Sequence, residues 1–253
     1  MDVDGKVAVI TGSSAGVGRG TAELLASLGA KVVINYAHSR DDAEETVQAI
    51  SDAGGTAHAV QADVGVDEQC RSLIASAVKT YGALHILVNN AGTTHFIPHE
   101  DLDAVTSEVW NDIFAVNVQG VFNCTRAAAP HLRASGEGAV VNVASIAGIG
   151  GGGSSIPYAA SKAALIAMTK SLARVLGPEI RVNCIAPGFI DTRWLRGGMG
   201  DDRFEGTRET LMQRSPLRGV ATPESCADAI LGFIQTNTFV TGQTIVVDGG
   251  MSL

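Results

Sequence analysis

The sequence predicts an α/β domain wound around a parallel sheet of about seven strands. Three observations predict it: short apolar runs alternate with helical patterns from end to end, several of those runs are apolar throughout, and neither an internal repeat nor a linker interrupts the rhythm. Runs without polar alternation suit strands covered by helices on both faces. The expected strands are 6–11, 31–36, 56–63, 84–90, 138–145, 181–188 and 243–249.

The first run passes directly into Thr11-Gly12-Ser13-Ser14-Ala15-Gly16-Val17-Gly18, and a helix over 17–29 follows, with Leu24, Leu25 and Leu28 on one side and Gly29 at its close. A second crossover helix is expected over 41–53, where Ala43, Val47 and Ile50 keep helical spacing before Gly54-Gly55. Further helices are expected at 67–81, 103–134, 158–176 and 223–235. The last is announced by Thr222 as an N-cap with Pro223 at the first position. Residues 189–222 break the rhythm. They read as a long connection rich in Gly, Arg and Asp, with scattered Phe189, Trp194, Leu195, Phe204, Leu211 and Met212, and a connection of this length is expected to serve as a substrate lid.

At 253 residues, with 45% hydrophobic and 17% charged residues, the chain is long and apolar enough for one cored domain over 1–253. The 18 Lys and Arg against 26 Asp and Glu give a formal charge of −8, which speaks against a nucleic-acid partner. Cys70, Cys124, Cys184 and Cys226 stand singly, without metal-ligand spacing, so no metal and no disulfide framework is expected. Acidic residues occupy the N-terminus where a signal peptide is basic, and no apolar run approaches the roughly 18 residues of a membrane span. A cytoplasmic protein is the expectation.

Glycines between a first strand and a helix allow a tight turn and close backbone approach to a pyrophosphate, while the helix N-terminus offers unpaired N–H groups. Gly12, Ser14, Gly16, Val17 and Gly18 are therefore candidates for a dinucleotide site. The spacing is TGxxxGxG and not the general GxGxxG. With Asn89-Asn90-Ala91-Gly92 ending strand four, and Ser145 thirteen residues before Tyr158-x-x-x-Lys162, it resembles the short-chain dehydrogenase/reductase family over essentially the whole chain. Asn117, Pro187-Gly188 with Thr192, and the closing Asp248-Gly249-Gly250 extend the likeness. The resemblance implies a single Rossmann-type, doubly wound domain, a nicotinamide cofactor and a homotetramer. Within the family the pattern is most similar to 3-oxoacyl-carrier-protein reductases and glucose-dehydrogenase-like members.

The residues ending strand two decide between NAD and NADP, because an acid there would hold the ribose 2′-hydroxyl and repel a 2′-phosphate. Asn35, Tyr36, Ser39 and Arg40 supply neutral groups and one cation, which resembles the NADP-preferring reductases. Ala15 is a counter-signal, since many of those reductases carry a cation at that place, and NAD stays open. The resemblance further assigns Asp63 and Val64 to the adenine, Asn90, Ala91 and Gly92 to the cofactor floor, and Pro187, Gly188, Ile190 and Thr192 to the nicotinamide carboxamide.

Moving a hydride to a carbonyl carbon requires a proton at the oxygen. Tyrosine titrates near 10, and a neighbouring lysine ammonium would favour its phenolate. Tyr158 and Lys162, four apart on one helix, share a face, so Tyr158 is the expected acid/base. The resemblance adds that Lys162 holds the nicotinamide ribose. Ser145, at a carboxyl edge of the sheet, is expected to orient the substrate oxygen, and no GxSxG surrounds it as a nucleophile would need. Asn117 sits where Asn is a poor helix former, and the resemblance makes it the residue that bends its helix and holds a relay water for Lys162. His95, Phe96, Ile149, Gly150 to Gly153, Phe189 and Trp194 are pocket candidates by position.

The expected function is thus NAD(P)-dependent interconversion of a secondary alcohol and a ketone, a small-molecule substrate. A 3-oxoacyl thioester is an alternative substrate: Arg193, Arg196, Arg203, Arg208, Arg214 and Arg218 would offer a basic patch to a carrier protein, but Asp191, Asp201, Asp202, Glu205 and Glu209 interrupt it. A non-catalytic nucleotide-binding regulator on the same fold would be expected to lack Ser145, Tyr158 or Lys162, and all are present. A methyltransferase predicts an acid where Asn35 stands.

Overall fold

Strands without polar alternation need cover on both faces, and they have it in the computed structural model, which describes residues 1–253. Seven strands, β1 (Val7–Ile10), β2 (Lys31–Tyr36), β3 (Thr56–Gln61), β4 (Ile86–Asn89), β5 (Gly138–Val143), β6 (Ile180–Pro187) and β7 (Thr244–Val247), form one sheet in the order β3-β2-β1-β4-β5-β6-β7. Every neighbouring pair is parallel. The winding reverses between β1 and β4, which opens a crevice at their carboxyl ends.

Alternate residues of each strand enter opposite cores. Ala8 and Ile10 of β1, with Val32 and Ile34 of β2, pack under α1 (Gly16–Ser27), α2 (Arg40–Asp52) and the helix over Pro223–Leu231. Val7, Val9 and Val33 face α3 (Asp67–Tyr81), α5 (Val121–Ala134) and α7 (Ile156–Leu176) through Leu73, Cys124, Leu132 and Leu172. All four cysteines are free and buried. No helix is long and apolar enough to cross a membrane.

Two expectations change. The helix expected over 103–134 starts later, as α4 (Ser107–Phe114) capped by Thr106, and continues into α5 through a π-helical segment over Ala115–Gly120. The connection 189–222 is mostly helical, holding α8 (Arg193–Met199) and α9 (Asp201–Arg214). Its helices lack an apolar stripe, since α8 buries no residue and α9 buries only Phe204, so periodicity gave no sign of them. A short α6 (Ala147–Gly150) also escapes notice.

The 189–222 excursion is pinned at its base. Ala221 N–H donates to Phe189 at 3.1 Å, and Asp191 N–H donates to Ala221 at 3.0 Å. Phe204, 0% exposed, packs on Phe189 with ring centroids 5.0 Å apart. Beyond the excursion lie α10 (Pro223–Leu231), with the expected Thr222 cap, and a π-helical turn over Gly232–Thr236. The freed carbonyls of that turn are met by Arg181, which donates to Phe233, Ile234 and Asn237 at 2.6, 3.0 and 3.1 Å.

Candidate active site

The crevice floor is built from β1 and β4 tied side by side. The Thr11 hydroxyl accepts from the Asn90 and Ala91 N–H groups, each at 3.0 Å, while the Asn90 amide donates to the carbonyls of Thr11 and Gly12 at 2.9 and 2.8 Å. This closeness excludes side chains. A Cβ on Gly12, whose φ is +59°, would stand 2.8 Å from Ala91 Cα, and one on Gly18 would stand 2.5 Å from Asn90 Nδ2 and 2.6 Å from Gly12 O. Gly18 therefore packs α1 against the floor and does not itself line the cavity. No side chain caps α1, so its first-turn N–H groups face the crevice unpaired. The donor set and the room suit a dinucleotide: a cavity of about 1770 Å³ runs from Ser14, Gly16, Asp63 and Val64 past Asn90, Ala91 and Gly92 to Ser145, Tyr158 and Lys162.

At the far end, α7 begins on Ser155, whose hydroxyl accepts from Tyr158 N–H, and places Tyr158 and Lys162 on one face as the spacing predicts. Lys162 is 4% exposed, donates to Val143 O at 2.9 Å, and holds Nζ 5.6 Å from the Tyr158 ring centroid. Ser145 follows β5 and accepts from Ala147 N–H at 3.1 Å. Its separation from Lys162 is fixed by Gly148, where a Cβ would lie 2.5 Å from the Lys162 carbonyl carbon.

The electrostatics correct one expectation. Burial pushes Lys162 down to about 8 and pushes the Tyr158 phenol up, with only the neighbouring Ser145 hydroxyl pulling the phenol back. Desolvation outweighs the expected help from lysine, because the ammonium lies over the ring face and is bonded to a backbone carbonyl.

Asn117 is fully buried inside the π-helical segment, where the α-helical hydrogen-bond pattern is interrupted. Its amide clamps the loop after β4 to the catalytic helix, accepting from Thr93 N–H at 2.8 Å and donating to Thr93 O and Ser161 Oγ at 3.0 Å each. A Cβ on Gly92 would sit 3.4 Å from Asn117 Oδ1 and 3.5 Å from Lys162 Nζ, so the two polar groups flank one small space.

The strand-two assignments divide. Asn35 touches the cavity, but its side chain is spent: Oδ1 accepts from Gly12 N–H at 3.1 Å and Nδ2 donates to Ala62 O at 2.9 Å, bracing the glycine turn. Tyr36 is buried in the core, and Arg40 lies over its ring and pairs with Glu44 at 3.5 Å. Neither they nor Ser39 line the cavity, whereas Ala37 and His38 do. Position along the strand concealed this: the side chains alternate, and the polypeptide turns at residue 37. Arg19 is held by Glu23 and Glu45, both at 2.8 Å.

Pro187, Gly188, Ile190 and Thr192 line the cavity, and Thr192 Cγ2 lies 3.7 Å from where a Gly16 Cβ would be, bringing the base of the 189–222 excursion over the glycine turn. Phe96, Ile149, Phe189 and Trp194 line the same cavity; His95 does not, and meets Asp112 at 3.3 Å. Three features had no signal of their own in the sequence. The Thr94 and Ser154 hydroxyls join the two pocket walls at 2.6 Å, the missing Cβ of Gly198 admits the Phe96 ring, and Arg193 reaches from α8 to Asp42 of α2 at 3.2 Å.

Comparison with known proteins agrees with this geometry. A family model described as enoyl-(acyl carrier protein) reductase matches residues 12–252. "Granaticin polyketide synthase putative ketoacyl reductase 2" of Streptomyces violaceoruber is 47% identical over 247 residues, covering 98% of this chain and 96% of that one. A 3-oxoacyl-[acyl-carrier-protein] reductase of Thermotoga maritima is 37% identical over 254 residues, 99% of each. Among solved structures, one described as "a putative short-chain dehydrogenase/reductase" from Burkholderia xenovorans superposes with a TM-score of 0.90 at 36% identity, covering 98% of both chains.

Proposed function

The chain belongs to the short-chain dehydrogenase/reductase family, and from that premise we propose that it reduces the ketone of a 3-oxoacyl thioester with NADPH, Tyr158 giving the proton. The observation that carries this reading is the convergence of two O–H donors, Ser145 and Tyr158, beside a buried lysine at the end of a cavity whose other end is a phosphate cradle. Two donors on one point suit the single oxyanion that develops when a ketone takes up a hydride. The full-length likeness to ketoacyl reductases supports the thioester.

When bound, the nicotinamide supplies the hydride. Gly12, Ser14 and Gly16 with the N-terminus of α1 hold the pyrophosphate, Asp63 and Val64 frame the adenine, and Asn90, Ala91 and Gly92 form the floor. Lys162 holds the nicotinamide ribose, and Pro187, Gly188, Ile190 and Thr192 fix the ring. Tyr158 keeps its proton in the buried site until the oxygen takes it. The proton is then replaced through Lys162 and the small space beside Asn117.

The NADP preference rests on the lack of any acid at the end of β2 and on His38, the one group there with a ring N–H at the cavity. Asn35, Tyr36 and Arg40 act behind it, as braces. We further propose a cytoplasmic homotetramer, in line with the apolar residues that edge strand β7 leaves exposed, Ile245 and Val246.

Parallel fluorescence titrations with NADPH and NADH test the cofactor: about tenfold tighter NADPH is expected, and tighter NADH overturns the preference. Tyr158→Phe tests the chemistry. It abolishes reduction of acetoacetyl-coenzyme A while leaving NADPH affinity within about twofold; undiminished turnover removes Tyr158 as the acid.

A further inference from the structure

Helices α8 and α9 carry five arginines, and most are already neutralised. Arg193 is tied to Asp42 at 3.2 Å, Arg196 to Glu205 and Asp201 at 2.6 and 3.4 Å, and Arg208 to Asp191 and Glu205 at 3.1 and 3.6 Å. Arg214, at the end of α9, lies outside the cavity. Arg203 differs from all of them. It lines the cavity, is exposed, and makes neither an ion pair nor a hydrogen bond.

The stretch of α9 that carries it is nonetheless held in place. The next residue, Phe204, is the one buried side chain of α9, stacked on Phe189 and covered by Arg196, whose guanidinium carbon lies 4.2 Å from the ring centroid. The anchor therefore holds Arg203 at the rim without employing its charge. The same cavity is lined by the large apolar side chains Phe96, Trp194, Leu195, Met199 and Leu211. Glu100, an exposed carboxylate at the cavity wall, makes no ion pair with it. A mouth with an apolar wall and one unengaged guanidinium is complementary to a molecule with an apolar body and a terminal anionic oxygen group, which a guanidinium grips with paired N–H donors.

We propose that Arg203 is a specificity-determining residue that binds an anionic group, a phosphate or a carboxylate, carried by the substrate some distance from its carbonyl. The inference rests on the carbonyl-reducing reading of the site, and adds to it that charge remote from the reacting oxygen selects the substrate. A phosphate would belong to a thioester's carrier arm, and a carboxylate to the acyl chain itself.

Two matched pairs separate these sources by binding alone, so the test stands even where turnover does not. Affinities of the NADPH-loaded protein are measured by calorimetry for pantetheine against pantetheine 4′-phosphate, and for methyl levulinate against levulinate. The wild-type protein is expected to prefer the anionic member of at least one pair by about five- to tenfold, the scale of one charge-assisted contact at a rim. Arg203→Gln abolishes the preference, Arg203→Lys keeps part of it, and affinity for the neutral members does not change. Preference in the phosphate pair alone assigns the carrier arm, and in the carboxylate pair alone the acyl chain. No preference in either pair, or a preference that survives Arg203→Gln, overturns the proposal. Reduction of acetoacetyl-N-acetylcysteamine, a neutral thioester, is followed in parallel: its absence in the wild-type protein counts against the carbonyl-reducing reading, not against Arg203.

Discussion

Replacing Lys162 by methionine is expected to cost the enzyme its turnover and raise its stability. The ammonium is 4% exposed and has one hydrogen-bond partner, Val143 O at 2.9 Å, and burial drives its pKa from the ordinary 10.5 to about 8. At 1.36 kcal/mol per unit, that interval means the folded protein at pH 7 carries about 3 kcal/mol of unrelieved desolvation. Lys162→Met removes it with nearly the same stem volume, and gives up one hydrogen bond that leaves Val143 O unpaired, at about 1–2 kcal/mol. The net gain is about 1–2 kcal/mol, or about 3–6 °C in Tm for a chain of this size. The sign with pH follows from linkage. Between pH 8 and 10.5 the unfolded chain binds the proton that the folded chain has lost, so wild-type stability rises through this window while the variant, lacking the group, does not follow. Differential scanning fluorimetry of both proteins from pH 7 to 10 checks it: the variant melts higher at pH 7 and the gap closes by pH 10. A variant that melts lower at pH 7, or a gap that stays constant across the range, refutes the claim that Lys162 is a strained charge kept for function.

Two further outcomes test the framework around it. Gly18→Ala puts a Cβ 2.5 Å from Asn90 Nδ2 and 2.6 Å from a backbone oxygen, so the glycine turn must shift, and calorimetry should find NADPH affinity reduced at least about tenfold; unchanged affinity would show that the turn does not shape the phosphate cradle. Arg181→Ala leaves three carbonyls of the turn after α10 without their charged donor. A loss of about 2–4 kcal/mol and of roughly 5–10 °C in Tm is expected, with kcat unaltered because the residue lies at the opposite end of β6 from the site.

The sheet, its approximate strand limits and the close packing of the glycine turn were legible because each depends on local pattern: fully apolar runs, glycines that leave no room for a Cβ, two polar residues four apart on a helix. What was illegible depends on partners distant in sequence. Asn35 looked like a phosphate ligand at the end of β2, yet Gly12 and Ala62 consume its amide. Arg40 looked like an available cation, yet Glu44 of α2 stands beside it. The helices α8 and α9 concealed themselves for a different reason: excursions anchored by a single aromatic need no apolar stripe, and capping by Thr192 with acids at 201 and 202 is too common to mark a helix against a glycine-rich background. Cys70 and Cys124, 54 residues apart, turn out to share one contact between α3 and α5, which no spacing rule would pair.

The opposing shifts at the reacting end follow from one choice, a dry site. Desolvation disfavours whichever form is charged, so it raises Tyr158 and lowers Lys162 together, and each moves toward neutrality. A neutral phenol is the form that can donate. Donation then leaves a phenolate in the same dry surroundings, and the group at hand to offset it is the Lys162 ammonium, itself near its own titration. The protein thus holds acid and counter-charge apart in energy until the substrate oxygen draws the proton. The contacts that set this spacing are backbone ones: Gly148 lets α6 touch α7 beneath Ser145, and Asn117 grips both Thr93 and the helix that bears the lysine. Widening either contact would admit water, return both groups toward their ordinary values, and remove the reason for burying a lysine at all.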